Sequence, residues 1–497
     1  MENLMLGDIK SLLKHSSIYG FSNLLQKGIG FIMIPVYTHY LTPGDYGILE
    51  LMDLTINIIS MIMGMRMGSA IIRYYHHYES PEDKQEVFST ALIFVVVSTL
   101  FLVCALEFFT RPISGLVLGS PDYFRYFQII FISMGFQTIS TVPENWLLTQ
   151  KKSVAYSIIS IGTLFSYLSL NILFIVVYRM GVMGMLLSMI ITKFFNTSAL
   201  LILIRKDFRI SFSWEKLANM IRFGLPLIPE SFCMFIIHFS DRFFVQKFCH
   251  LDQLGQYSLG YKFGMMLSYL VAEPFFRIWN TQRFEIAKKD NAQYTFAKFF
   301  TYFSFIMLFG ALGISVFIEE VVQIIAPDEY QGASAVVFLI VMSYVFYGMS
   351  NYFRLGIMLT YTTKYAAYVN MASAFLNLIF NWYFIKNYGI LGASFATLLT
   401  FFSHCLFTLL ISQRLYYVSF EYKRILLLLA VSGIIYGLSE MIHMPFAAVM
   451  ITQCLLMLLF PALLYICGFF RQDELEKIKE LLGSGLSGFK KKIRKDK

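Results

Sequence analysis

Charge is what this sequence has least of. Asp, Glu, Lys and Arg make up only 14% of its 497 residues, against about 25% in an average soluble protein. With 57% of residues apolar, no soluble fold could hide its apolar surface and keep a solvated exterior. The same richness, with 17% aromatics, excludes a disordered chain. Cysteine is also scarce. Cys104, Cys233, Cys249, Cys405, Cys454 and Cys467 are scattered with no C-x-x-C pair, so they read as small core hydrophobes rather than a disulfide framework or a metal site.

Motifs of catalysis are missing too. No G-x-x-x-x-G-K-[ST] occurs, which excludes ATP hydrolysis by a P-loop. Gly483-Ser-Gly485-Leu-Ser-Gly488 matches G-x-G-x-x-G, but no strand precedes it and it lies in a polar tail, so it is not a nucleotide fingerprint. His76 and His77 are neighbours; on a helix they point about 100° apart, a poor start for a metal site. No connection is long enough to house a catalytic domain. No enzyme, resident metal, cofactor or nucleic-acid partner is expected. The N-terminus lacks a short hydrophobic region with a small-residue cleavage site, so the first long apolar run reads as a retained span.

What the chain has is apolar runs longer than the roughly 20 residues that cross a bilayer as helix. The short alternating segments of a membrane β-barrel are not seen. The runs predict an all-α integral membrane protein with fourteen spans over 16–40, 46–72, 87–109, 124–148, 154–178, 181–204, 219–247, 255–280, 295–318, 331–359, 365–386, 389–413, 424–442 and 446–468. Basic residues orient them. With the N-terminus in the cytoplasm, 26 of the 40 Lys and Arg fall in inside connections and five outside, the asymmetry the positive-inside rule expects. Both ends are therefore placed in the cytoplasm.

The chain also repeats itself. Gly181-Val-Met-Gly184 and Gly389-Ile-Leu-Gly392 open spans 6 and 12 at an offset of 208 residues. The same offset relates Gly47, early in span 2, to Gly255, at the start of span 8. The expected organisation is an N-terminal lobe over 1–204, a cytoplasmic linker over 205–218, a C-terminal lobe over 219–413, two appended helices over 424–468 and a tail over 469–497. Two six-helix lobes of the same orientation imply a pseudo-two-fold axis along the membrane normal, as in parallel-repeat transporters.

Nine basic residues remain inside the spans. Arg222, Arg277 and Lys298 lie near span ends and can snorkel. Lys27, Arg66, Lys193, Arg242, Lys262 and Arg354 are deeper. A cation at the bilayer centre costs about 2.5–3.5 kcal/mol, so these six must face protein, water or a ligand. Acidic partners are at hand in Glu50, Asp53, Glu144, Glu230, Asp241 and Glu273. Asp241 and Arg242 are adjacent and should not share a helix face, so each is expected to pair across helices. Proline accompanies the charges in spans 1, 7 and 8 (Pro35, Pro226, Pro229, Pro274) and permits bending. The cations suit an anionic substrate with a phosphate or pyrophosphate group, Arg by bidentate contact and Lys as a point charge. Glu230, Asp241 and Asp53 are the candidate coupling carboxylates for a proton or sodium gradient.

The tail completes the pattern. Leu475, Ile478, Leu481 and Leu482 recur at helical spacing, followed by six basic residues in the last eight. An amphipathic helix with a polybasic end is expected on the anionic inner leaflet.

Ser17-Ile-Tyr-Gly20, the stretch Pro35-Val-Tyr-Thr-His-Tyr-Leu-Thr-Pro-Gly-Asp-Tyr-Gly47, and Asp241-Arg242 followed by Leu254-Gly255-Gln-Tyr257 resemble polysaccharide biosynthesis flippases. These belong to the multidrug/oligosaccharidyl-lipid/polysaccharide exporter superfamily. The resemblance implies translocation of a polyprenyl-pyrophosphate-linked oligosaccharide, for example for O-antigen or exopolysaccharide, from the inner to the outer leaflet of the bacterial plasma membrane, alongside polysaccharide polymerase machinery. It also implies a cationic cavity lined from the first, second and eighth helices, where Lys27, Arg66 and Lys262 fall. An ion-coupled multidrug exporter of the same fold is the alternative, and a membrane glycosyltransferase or polymerase is the third.

Overall fold

The computed structural model describes residues 28, 30–442, 444–472, 474 and 476. Lys27 and the polybasic end of the tail lie outside the described residues. Among the described residues there is no strand. Helices follow one another as α1 (Ile34–Tyr40), α2 (Pro43–Met63), α3 (Met67–His77), α4 (Pro81–Phe108), α5 (Thr110–Leu118), α6 (Phe124–Thr149), α7 (Ser153–Asn171), α8 (Gly181–Ile204) and α9 (Trp214–Gly224). The series continues through α10 (Ile228–Phe248), α11 (Leu251–Leu267), α12 (Glu273–Ile286), α13 (Ala292–Ile325) and α14 (Ser334–Phe353). It ends with α15 (Leu355–Leu359), α16 (Lys364–Leu415), α17 (Tyr422–Glu440) and α18 (Phe446–Ile466).

Among the described residues, ten helical stretches are long and apolar enough to cross a membrane. One of them, α16, is split by Gly389, whose φ of 59° and ψ of −137° are non-helical, where the sequence places the boundary between spans 11 and 12. α6 and the run α11–α12 fall in the expected spans 4 and 8, and α1 lies at the described end of span 1.

Local chemistry sets the boundaries. Thr42 caps α2 through a reciprocal capping box with Asp45, and Pro43 occupies the first turn, where its missing N–H costs nothing. Span 2 is not the single helix expected over 46–72. Met65 and Arg66 adopt left-handed backbone, with φ of 39° and 55°, and break it into α2 and α3. The break is packed rather than loose: a Cβ added at Gly224 would meet the Met65 carbonyl oxygen at 2.2 Å. Left-handed backbone is strained for a side-chain-bearing residue and persists only where packing holds it.

The residues fall into two compact units. Unit 1 comprises the chain up to Tyr261 with Val322–Val336 and Ala367–Thr400. A hydrophobic core in it surrounds Phe88, stacked on Trp146 at 4.5 Å, with Met67, Val87, Leu200 and Met220 buried around them. Lys216 pins α9 to the start of α4 through Asp83 at 2.7 Å and Glu86 at 2.6 Å. Unit 2 comprises Lys262–Val321, Val337–Ala366 and the chain from Phe401 onward. Its core is aromatic. Trp279 stacks on Tyr352 at 4.4 Å, and Phe275 lies 4.4 Å from Phe303. The six cysteines are less internal than expected: only Cys405 is buried, and Cys104, Cys454 and Cys467 are exposed on or beside spanning helices.

Candidate functional site

Unit 2 holds a cavity of about 530 Å³ lined by Ser268, Ala272, Glu273, Phe276, Arg277, Asn280, Arg283, Tyr347, Asn351, Arg354 and Met358. Two helix faces build it. On α12, Phe275 and Trp279 turn into the aromatic core, which leaves Glu273, Phe276, Arg277, Asn280 and Arg283 on the opposite face at helical spacing. On α14 and α15, Tyr347, Asn351, Arg354 and Met358 follow the same 3.6-residue period. Between α11 and α12 the backbone widens into a π-helical turn over Ser268–Ala272, followed by Pro274. Irregular backbone at membrane depth is tolerated where it lines a cavity, and Ser268 and Ala272 do line this one.

Three guanidinium groups against one carboxylate make the cavity cationic. Arg283 keeps a buried Nε with no hydrogen-bond partner, and the charge of Arg354 acts on it. A group carrying several negatively charged oxygens would satisfy those donors and relieve the repulsion.

Sequence reasoning singles out Arg354 but not Arg277 or Arg283. By hydropathy span 8 ends at 280, which puts Arg277 near a span end where it can snorkel and Arg283 in the inside connection beyond. The helix runs on to Ile286. The legible signal was the polar stripe 273, 277, 280, 283, which continues the helical period past the end of the apolar run.

The other expected site residues are dispersed. Arg66 is exposed at the α2–α3 break and donates to Ser231. Lys193 is half-buried on α8, and its charge acts on Glu144. Lys262 is half-buried on α11. Glu230 and Asp53 are exposed, and Asp53 accepts a hydrogen bond from Asn57 at 3.2 Å.

Arg242 and Asp241 form a different kind of site, deep in unit 1. Contrary to expectation the neighbours pair directly, Arg242 Nη1 to Asp241 Oδ1 at 2.6 Å. Adjacent Cβ atoms diverge on a helix, but the long arginine stem bends back across its own turn to reach the carboxylate, and donates to the His238 carbonyl at 2.8 Å as well. Arg242 also pairs across helices, with Glu50 Oε1 at 3.7 Å, and its guanidinium lies over the Tyr261 ring at 3.7 Å. At 1% exposure it is enclosed by protein, with Nη1 hydrogen-bonded and Nε facing Glu50 without a hydrogen bond. Around Asp241 a polar cluster continues. Tyr257 donates to its Oδ2, and Thr397 lies 3.4 Å away. Nearby, Ser240, Asn377, Asn381 and Thr400 hydrogen-bond one another at 2.8–3.1 Å.

The fold defines a multi-pass, all-helical membrane protein. The solved structure of the lipid II flippase MurJ, in an inward closed conformation, resembles this chain with a TM-score of 0.73 and 15% identity, covering 92% of this chain and 100% of that one. An inward-facing multidrug resistance MATE family transporter follows at 0.60 and 14%, covering 82% and 95%. At such identities the likeness is one of fold. The model of the polysaccharide biosynthesis protein family matches residues 12–279, more than half of the chain, which therefore belongs to that family. Among curated relatives, the succinoglycan biosynthesis transport protein ExoT of Rhizobium meliloti (strain 1021) is 22% identical over 249 residues, 49% of this chain. That match spans about half of ExoT's length (48%). The Lsg locus putative protein 1 of Haemophilus influenzae (strain ATCC 51907 / DSM 11121 / KW20 / Rd) is 22% identical over 370 residues, covering 68% of this chain and 86% of that one.

Proposed function

We propose that this protein is a flippase that moves a polyprenyl-pyrophosphate-linked oligosaccharide from the inner to the outer leaflet of a bacterial plasma membrane by alternating access, supplying cell-surface polysaccharide synthesis. The observation that carries the reading is the arginine-rich cavity of unit 2. Its three guanidiniums suit the clustered oxygens of a diphosphate, and Asn280, Asn351 and Tyr347 offer neutral donors of the kind that hold sugar hydroxyls. The fold shared with a lipid II flippase supports a lipid-linked cargo, and the likeness to a succinoglycan biosynthesis transport protein supports a polysaccharide one. A cavity with three cations to one carboxylate disfavours the cationic compounds of a multidrug exporter.

In this reading Arg277, Arg283 and Arg354 take the diphosphate, and Lys27, Arg66, Lys193 and Lys262 guide the anion towards them. Arg242 is the exception. Its guanidinium is committed to Asp241, Glu50 and Tyr261, so it serves as a structural ion pair. The lobes over 1–204 and 219–413 rock about the linker 205–218. A gradient of protons or sodium sets direction, with Asp241 as the coupling carboxylate; the oxygens of Ser240, Asn377 and Thr397 beside it are the donor type that hard cations take. Exposed Glu230 and Asp53 are the remaining coupling candidates. Anionic inner-leaflet lipids hold the tail, and the polysaccharide polymerase machinery consumes the product.

The test is reconstitution into proteoliposomes with lipid-linked oligosaccharide and a measure of its exposure on the far leaflet. Each charge-assisted contact is worth about 1.5–3 kcal/mol, so Arg283→Gln or Arg354→Gln should slow translocation about tenfold or more. Unchanged rates at matched protein levels for both variants would remove the cavity from the mechanism.

A further inference from the structure

In unit 2, α18 runs antiparallel to α13, and the contacts along this seam are apolar until its last turns. Phe460 meets Phe305 at 5.8 Å and Phe309 at 5.9 Å. A Cβ on Gly313 would lie 3.4 Å from Cε of Met457. Further along, the chemistry changes: Gln453 Nε2 donates to Glu320 Oε1 at 2.6 Å. The buried stripe of α18 is Val449, Gln453, Leu456, Phe460 and Leu464, a helical period in which Gln453 is the one polar residue. Glu320 is 7% exposed and Gln453 5%. Hydropathy ends span 9 at 318 and leaves Glu320 in an outside connection. The helix α13 instead runs on to Ile325 and Glu320 is buried on it.

The pair is incomplete. Glu320 Oε2 and Gln453 Oε1 are both buried with no hydrogen-bond partner, and both are acceptors when the carboxyl is ionised. Among the described residues no basic side chain pairs with Glu320. The charged groups of the neighbouring elements are acidic here. Glu319 precedes it on α13, Glu440 ends α17, and the charges of both act on Tyr436 of α17. The Tyr436 ring stacks on Phe338 of α14 at 3.8 Å. Helix α18 carries no Asp, Glu, Lys, Arg or His. A carboxylate buried without a cation is costly to keep ionised, and such a group neutralises.

We propose that Glu320 and Gln453 form a proton-binding site, in which the carboxyl holds a proton on Oε2, donates it to Gln453 Oε1, and in this neutral form fastens α18 to α13. Two hydrogen bonds then join a carboxylic acid to a carboxamide, and both orphaned oxygens are satisfied. The proton comes from water at the outer ends of the two helices, where the distribution of basic residues places 319–330 and 443–445. It returns there when the pair opens and the carboxylate is hydrated. The site is independent of the transport reading and of Asp241.

Glu320→Gln replaces the acid by a neutral group of the same shape. In lipid at neutral pH, infrared spectra of the parent should show the carbonyl stretch of a protonated carboxyl that is missing from Glu320→Gln. Gln453→Leu removes the acceptor and should move that band to higher frequency. No such band in the parent, or a band that Gln453→Leu leaves in place, would overturn the proposal. Hydrogen exchange reads the fastening. Opening that releases one proton should lower the protection of amides 446–457, corrected for intrinsic exchange, about tenfold per pH unit above about pH 4.3, where a hydrated glutamate ionises. The sign follows because the open form then binds fewer protons than the closed one. In Glu320→Gln the protection should be flat with pH. Parent protection that changes less than about twofold between about pH 5 and pH 7 would overturn the fastening role, since a polar contact without a proton has no such slope.

Discussion

Removing Arg242 is the most demanding test of the packing argument. Its guanidinium neutralises Asp241, whose side chain is 3% exposed, and Glu50, at 16%. Arg242→Ala strands a buried carboxylate whose remaining side-chain partners, Tyr257 and Thr397, are neutral hydroxyls. Breaking a buried pair by deleting one partner costs about 3–5 kcal/mol, and the lost contact with the Tyr261 face belongs to a class worth about 0.5–2 kcal/mol. The pair's own attraction is not the source of that cost; the uncompensated charge is. Removing both charges, as Asp241→Asn with Arg242→Met, should therefore recover about 2 kcal/mol or more of the loss. Arg242→Lys should fall between, since an ammonium cannot fork to two carboxylates or stack on the ring. Denaturant-driven unfolding in mixed micelles, followed by tryptophan fluorescence, measures all three. A cost for Arg242→Ala below about 1 kcal/mol, the range of solvated surface pairs, would refute the reasoning and return Arg242 to the list of substrate contacts.

Two further outcomes follow from the structure. Burial pushes the Glu474 carboxyl up, but its paired hydrogen bonds to Arg424, with the Arg471 amide and Tyr302, outweigh this and hold it below the usual glutamate range of about 4.5. A carboxylate depressed in the folded state stabilises fully above its unfolded value and loses that stabilisation as pH falls through the lower folded value. Amide protection around Arg471 and Glu474 should hold at neutral pH and decline only below about pH 4.5, and Glu474→Gln should show the weakened protection at every pH; a decline centred near neutrality would contradict the assignment. If Asp241 couples an ion gradient, collapsing that gradient should stop translocation in the parent protein, and in Asp241→Asn the residual rate should no longer depend on it. A variant that keeps the full gradient dependence would move coupling to Glu230 or Asp53.

The legibility of the protein divides by the range of the interactions involved. Spans were readable because the cost of leaving apolar side chains in water, or polar ones in lipid, adds up residue by residue along a local window. The run 181–204 coincides with α8, and 154–178 matches α7 and its continuation to Val177 within a residue. The boundary at Gly389 was equally local. The offset of 208 was visible too, as was the need for buried cations to find partners.

Which partner each cation found was decided only by the tertiary structure. Arg242 chose its own neighbour and a carboxylate 192 positions earlier, Glu50, because chain folding, not sequence spacing, sets distances between remote segments. Arg277 and Arg283 joined Arg354 because α12 continues past its apolar run, and hydropathy falls silent in an amphipathic turn whose cavity face is polar. The break at Met65 and Arg66 is held by packing against Gly224, a contact that no window around residue 65 contains. The repeated glycines illustrate the division most plainly: their spacing along the chain was a property of the sequence, while the close approach of Gly47 to Leu251 and of Gly255 to Pro43 depended on how the backbones meet, which only three-dimensional packing settles.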